Sequence, residues 1–142
     1  MAATGTRGHD GGSERLPADP LHPDSTFIED TAIVTARGAI ATRPGAPSRI
    51  GEVDSVVAAL RRHYNDVAQI VAPGTVDGGD VCEADDHFLI GLSSRTNEQG
   101  VAEVEFLATS GVIDDVHILA ASPMASGQAR FVVHVTLPGK QE

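Results

Sequence analysis

The chain predicts an α/β fold built from strand, strand, helix, strand units, and three observations lead there. β-Branched and apolar runs occupy residues 27–35, 39–42, 67–72 and 87–92. Two stretches instead carry apolar residues at helical spacing, and the order of runs and stretches starts again after residue 80, which suggests a repeated ββαβ unit. Aromatics make up only 4% and tryptophan is absent, so the core must come from Val, Ile, Leu and Ala. The 142 residues suffice for one domain with a real core.

Residues 1–21 mix Gly, Ala, Pro and charge without an apolar period, and are expected to be a disordered leader. Residues 27–35 and 39–42 flank Arg37-Gly38 and predict a hairpin. Residues 43–48 hold two prolines and read as a turn. Val53, Val56, Val57, Leu60 and Tyr64 then predict a helix over 50–64, with Ser48 as its cap and Glu52 and Asp54 near the positive end of its dipole. A strand is expected at 67–72 and a loop at 73–80. Residues 81–83 and 88–92 form a second hairpin, and Val101, Val104 and Leu107 set one face of a helix over 97–109. Beyond Gly111 the signals weaken until 131–137, a strand by its β-branched content with His134 at its middle, ended by Pro138-Gly139.

A formal net charge of -10 repels phosphate backbones and anionic bilayers, so neither nucleic acid nor membrane is an expected partner. No apolar run approaches the roughly 20 residues of a membrane span, and the first residues lack a hydrophobic signal core, which makes the cytoplasm the default location. The single cysteine, Cys82, excludes an internal disulfide and a multi-cysteine zinc site. His22, His63, His87 and His134 show no metal-ligand spacing, and nothing calls for a metal or cofactor.

Carboxylates and arginines gather near the expected turns and strand ends. Receiving the planar donors of a guanidinium takes carboxylates in its plane, and Glu29, Asp30 and Asp77 are candidates. Acids in apolar, strand-like surroundings are costly unless paired, which singles out Glu29 and Asp30, although both would also serve to close a strand end or to pair with Arg37 or Arg43. Asp77-Gly78-Gly79-Asp80 is by itself a common turn composition. Arg49 and Arg95 have the fork that holds a carboxylate, or are surface arginines of little effect. Asp80, Glu83, Asp85 and Asp86 surround Cys82 with negative charge that disfavours a thiolate nucleophile. His117, after Asp114 and Asp115, is a candidate acid or base.

Taken together, these segments resemble the dimethylarginine dimethylaminohydrolases of the amidinotransferase-like, guanidine-modifying superfamily. The matching text is Pro23-Asp24 with Phe27-Ile28-Glu29-Asp30-Thr31-Ala32, then Thr42-Arg43-Pro44-Gly45-Ala46-Pro47-Ser48-Arg49 with Glu52-Val53-Asp54. Asp77-Gly78-Gly79-Asp80-Val81 and Gly91-Leu92-Ser93 with Arg95-Thr96-Asn97 follow in order. The resemblance implies a pentein-type α/β propeller of five ββαβ units around a central site, of which residues 22–111 carry roughly two, with 112–142 divergent. It implies hydrolysis of N-methylated arginine to citrulline and an amine through a covalent cysteine intermediate. Asp24 would then meet the amino-acid end of the substrate, and Glu29 and Asp30 would lie at the substrate, Asp30 on the guanidinium. Arg49 and Arg95 would hold the α-carboxylate, and Asp77 would be the acid near a catalytic histidine, matched by His117.

Two departures accompany the match. The family's nucleophilic cysteine lies near the end of a longer chain, whereas no cysteine follows Cys82 here. His117 also falls at a shorter spacing than the family's histidine. The expectation is about half a ring without its nucleophile, with exposed sheet edges that self-associate or take a complementing C-terminal half. A guanidine-binding module without catalysis and a fragment from an interrupted frame are the alternatives.

Overall fold

The computed structural model describes residues 13–84, 87–111 and 117–121. A first sheet contains β1 (Ala32–Val34), β2 (Ala39–Ala41) and β3 (Val67–Gln69) in that order, with β1 antiparallel and β3 parallel to β2. Parallel neighbours need a crossover, and α1 (Val53–Leu60) supplies it between β2 and β3. A second sheet repeats the arrangement with β4 (Val81–Ala84), β5 (His87–Gly91) and β6 (His117–Ala121), and α2 (Glu98–Thr109) is its crossover.

Ala39, Ile40 and Ala41 are all fully buried, because β2 is covered on both faces. Strand alternation turns Ile40 and its partner Ile33 to one side and the two alanines to the other. The small alanine side chains leave room for α1, which packs there through Val53 and Val57. On the opposite face Ile33, Ile40, Ile70 and Val76 meet Phe88 and Ile90 of β5 and Val101, Val104 and Ala108 of α2. Burying each of the larger of these side chains contributes about 1.5–3 kcal/mol. Leu89 and Cys82, a register pair on the outer face of the second sheet, stay exposed.

Several elements differ from the sequence expectation, each for a local reason. Ile28–Thr31 is a 3-10 turn and not the start of β1. Side-chain hydroxyls satisfy its carbonyls: Thr31 Oγ1 donates to Ile28 O and Thr42 Oγ1 to Asp30 O, both at 2.6 Å. Glu29 and Asp30 are thereby lifted out of the ladder. The helix expected over 50–64 begins as a 3-10 turn, Pro47–Glu52, and is α-helical only over Val53–Leu60. Ser48 lies inside that turn and caps nothing; Pro47, with no N–H to satisfy, opens it instead. Asn97 does cap α2, its Oδ1 accepting from Gly100 N at 2.8 Å. The strand expected at 67–72 stops at Gln69.

β6 fills the place after α2 that a repeated ββαβ unit calls for, although no residue range was expected for it, and the strand expected at 131–137 lies outside the described residues. Of the expected leader, residues 13–21 have no regular element. Glu14 nevertheless accepts a hydrogen bond from Arg62 just past α1 and lies 2.8 Å from His63 Nε2. Among the described residues no helix is long and apolar enough to cross a membrane.

Candidate functional site

Strand directions decide which residues can meet. β1 begins where β2 ends, β3 ends beside β2, β4 begins where β5 ends, and all these ends carry the acids and arginines. The two sheets join through their loops: Gly78 passes so close to Glu29 that a Cβ on it would stand 1.9 Å from the Glu29 carbonyl oxygen. Gly45 lies equally tightly on the backbone of Arg95, with an ideal Cβ 2.3 Å from Arg95 Cα. The link between β3 and β4 is fixed by Val76 N donating to Arg43 O and by Thr75 N donating to Asn97 Oδ1.

Asp30 is gripped at both oxygens. Oδ1 accepts from Gly79 N at 2.7 Å, and Oδ2 from Arg49 Nη1 at 2.7 Å. Arg49 is itself buried, at 4% exposure, and Glu52 holds it with two oxygens: Nε lies 3.1 Å from each, and Nη2 is 2.8 Å from Oε2. Its Nη2 also donates to Asp24 O at 3.1 Å. The Glu52 hydrogen bonds raise the Arg49 pKa above its ordinary value, burial works against them, and Asp30 adds to the rise, so Arg49 remains a cation throughout.

Asp77 is buried at 3% exposure and accepts from Gly45 N through Oδ1 at 2.9 Å. Its Oδ2 lies 3.5 Å from Nη1 of Arg95, whose side chain is 56% exposed. Asp80 Oδ2 accepts from Ser93 Oγ at 2.7 Å and Thr96 Oγ1 at 2.6 Å, and Thr96 Oγ1 accepts in turn from Asp77 N. Ser93 Oγ receives the backbone N–H groups of Arg95 and Thr96. Asp80 thus fastens the loop that carries Arg95. Among the described residues, Asp30 and Glu52 pair with Arg49 and Asp77 with Arg95, while Asp80 is held by the hydroxyls of Ser93 and Thr96. Four carboxylates thus face two guanidinium groups, and this end of the sheets is electronegative and suited to a cation.

Of the residues singled out in the sequence, Asp30, Asp77, Arg49 and Arg95 come together here. Glu29 is exposed, and Asp24 contributes its carbonyl to Arg49. Arg49 requires a correction. Its contacts leave one Nη1 N–H for an incoming group, so it offers no open fork to a ligand carboxylate. His117 requires another. It begins β6 and pairs with His87, at the far end of β5 from Gly91 and the Ser93–Thr96 loop. Four strand rises, about 13 Å, separate those ends. A parallel strand returning through α2 must start at the opposite edge, so His117 is not brought to Asp77.

Sequence reasoning missed Glu52, Asp80, Ser93 and Thr96 as members of this cluster. The signals were present: Glu52 stands three residues after Arg49, and Asp80 completes a motif already noted. Cys82 is exposed on the outer face beside Leu89, its Sγ 3.8 Å from Glu83 O. A groove of about 340 Å³ lies elsewhere, between residues 15–19 and the first helical turns, and touches the cluster only through Glu52.

No family model matches the chain. A Pseudomonas aeruginosa protein named N(G),N(G)-dimethylarginine dimethylaminohydrolase is 48% identical over 90 residues, 63% of this chain and 35% of the relative. The chain is similar to dimethylarginine dimethylaminohydrolases. A Streptomyces coelicolor protein with the dimethylarginine dimethylaminohydrolase name is 42% identical over 95 residues, 66% of this chain and 37% of its own length. A solved dimethylarginine dimethylaminohydrolase in adduct with S-methyl-L-thiocitrulline superposes with a TM-score of 0.71 at 39% identity, covering 78% of this chain and 42% of that one. A cyanobacterial arginine dihydrolase at 16% identity and TM-score 0.64, covering 76% of this chain and 16% of that one, shares the fold. The chain spans about a third of the length of the curated relatives it matches.

Proposed function

We propose that these residues form the cation-gripping part of a site that hydrolyses N-methylated arginine to citrulline and an amine, within an α/β propeller of which the chain carries two ββαβ units. The observation that carries this reading is Asp30: a partly open carboxylate whose oxygens are each fixed by a single donor, Gly79 N on one side and Arg49 on the other. A carboxylate so held keeps lone pairs directed outward for the N–H groups of a guanidinium, at no cost in reorganisation. Asp77, fixed by Gly45 N, is the second fixed acceptor, and Arg95 is the exposed cation suited to the α-carboxylate. A solved Pseudomonas aeruginosa relative, a cysteine-to-serine variant, is described as complexed with citrulline, which fits a ligand of this class.

The bond change needs a thiolate to attack the guanidinium carbon, an amine to leave with a proton, and water to release the ureido acid and return the thiol. Cys82 does not meet that need, since it faces away from the carboxylates beside Leu89. Thiol and histidine then belong to a complementing C-terminal segment, and alone these residues bind without turnover. The position of Cys82 also favours the second reading, a guanidine-binding module with no catalytic role.

Calorimetric titration with N-methyl-L-arginine tests binding: saturable heat is expected, and none at millimolar ligand would sink both readings. Adding a C-terminal segment of the Pseudomonas relative and assaying ureido product separates them. Product only in the mixture supports the hydrolase, and binding without product in either case supports the module.

A further inference from the structure

The Arg49 network contains a residue to which no role has been attached. Glu52 is 2% exposed, and its carboxylate is spent entirely on Arg49, taking Nε and Nη2 while Arg49 Nη1 points at Asp30. A buried carboxylate is costly unless it is paired, and this one is paired along one edge of the guanidinium plane. Two-point contact fixes the rotation of that plane about the side chain, which a single contact does not. With the plane fixed, the two Nη1 N–H directions are fixed as well, and Asp30 Oδ2 sits on one of them at 2.7 Å. Asp30 Oδ1 is then turned to Gly79 N at 2.7 Å.

From this chain of contacts we infer that Glu52 is the positioning residue for Asp30, acting through the plane of Arg49 and read out at Gly79. Glu52 touches no ligand; its carboxylate sets the angle at which Asp30 is presented. The inference rests on the guanidinium-site reading for its consequence, since the angle of Asp30 matters to a bound cation. The relay itself is a property of the chain without ligand. Asp24 O, the remaining partner of Nη2, is a backbone group, so the charge that orients Arg49 from behind comes from Glu52 alone among the described residues.

The test uses the full chain labelled with 15N. In wild type the Arg49 Hε signal is expected in slow exchange with water, with its Nη protons resolved at low temperature; one averaged Nη signal would overturn the relay with no variant needed. In Glu52→Gln the Hε exchange should accelerate at least tenfold and the Gly79 amide resonance should move toward its position in Asp30→Asn. Asp30→Asn should leave Hε slow, and Val56→Ala, a nearby helix substitution outside the relay, should leave Gly79 in place. An unmoved Gly79 amide in Glu52→Gln refutes the relay. Arg49→Lys keeps the charge but lacks the fork, and it must shift Gly79 in the same sense; it serves where Glu52→Gln does not fold. Calorimetry with N-methyl-L-arginine adds the functional arm, with affinity expected to fall at least tenfold in Glu52→Gln. Absence of wild-type binding would refute the site reading and leave the relay to be judged by the Arg49 and Gly79 signals.

Discussion

Gly78→Ala is the perturbation that most directly tests how the two sheets meet. A Cβ at this position stands 1.9 Å from Glu29 O, 2.9 Å from Glu29 C and 3.0 Å from Asp30 Cα. All three are backbone atoms of a 3-10 turn that Thr31 and Thr42 hydroxyls hold in place, so no side chain can swing aside. Overpacking costs about 1–3 kcal/mol, and backbone neighbours put this case at the top, near 3 kcal/mol. With a urea slope of about 2 kcal/mol/M, the midpoint should drop by about 1.5 M. Gly79→Ala is the matched comparison: its Cβ meets the Asp30 carboxylate oxygen at 2.6 Å, the end of a side chain that can turn away. Its expected cost in stability is about 1 kcal/mol, the worth of one hydrogen bond, while affinity for N-methyl-L-arginine should fall about tenfold. Urea unfolding and calorimetry on both variants check this. A smaller midpoint shift for Gly78→Ala than for Gly79→Ala, or unchanged ligand affinity in Gly79→Ala, would refute the reasoning.

Asp77→Asn retains an oxygen for Gly45 N but removes the charge facing Arg95, so guanidinium affinity measured by titration should drop at least tenfold for about 1–2 kcal/mol of stability. Arg95→Ala touches an exposed side chain, and its unfolding free energy in urea should stay within about 0.5 kcal/mol of wild type. Its affinity for N-methyl-L-arginine should nevertheless fall more than that for methylguanidine, which has no carboxylate. Hydrogen bonding from Arg62, then from His63, holds the Glu14 carboxyl below its ordinary value. A lowered carboxylate favours the docked form above the undocked pKa and loses that preference as pH falls through the docked one. The contact of Glu14 with Arg62 and His63, followed by NMR through the His63 ring signals, should therefore be lost below about pH 4, while the amides of β2 stay protected from exchange.

The fold was legible where side-chain period and backbone agreed. Val101 and Val104 marked the buried face of α2, and the apolar runs at 27–35 and 39–42 marked the first hairpin, whose Ile33 and Ile40 enter the core. It was illegible where hydroxyls replaced ladder bonds, as at Thr31 and Thr42, because a β-branched residue signals a strand whatever its Oγ is doing. β6 escaped notice because it has no alternation to announce it and takes its identity from pairing with β5. At the site, residue types pointed to Asp30 and Asp77, which the fold places at one end of the sheets. They did not show that Arg49 was already engaged, since that depends on Glu52 being folded beneath it. His117 misled for a topological reason: distance along the chain says nothing about which end of a sheet a returning strand enters.

One core serves both ββαβ units, because Ile33, Ile40 and Ile70 of the first interlock with Phe88, Ile90 and Val104 of the second. Cut between the units, each half would expose what the other covers. A single first unit would keep only the small cluster of Ala41, Val53 and Val57 under α1 as a dry interior, so the greater part of the apolar core exists only when the two units are together.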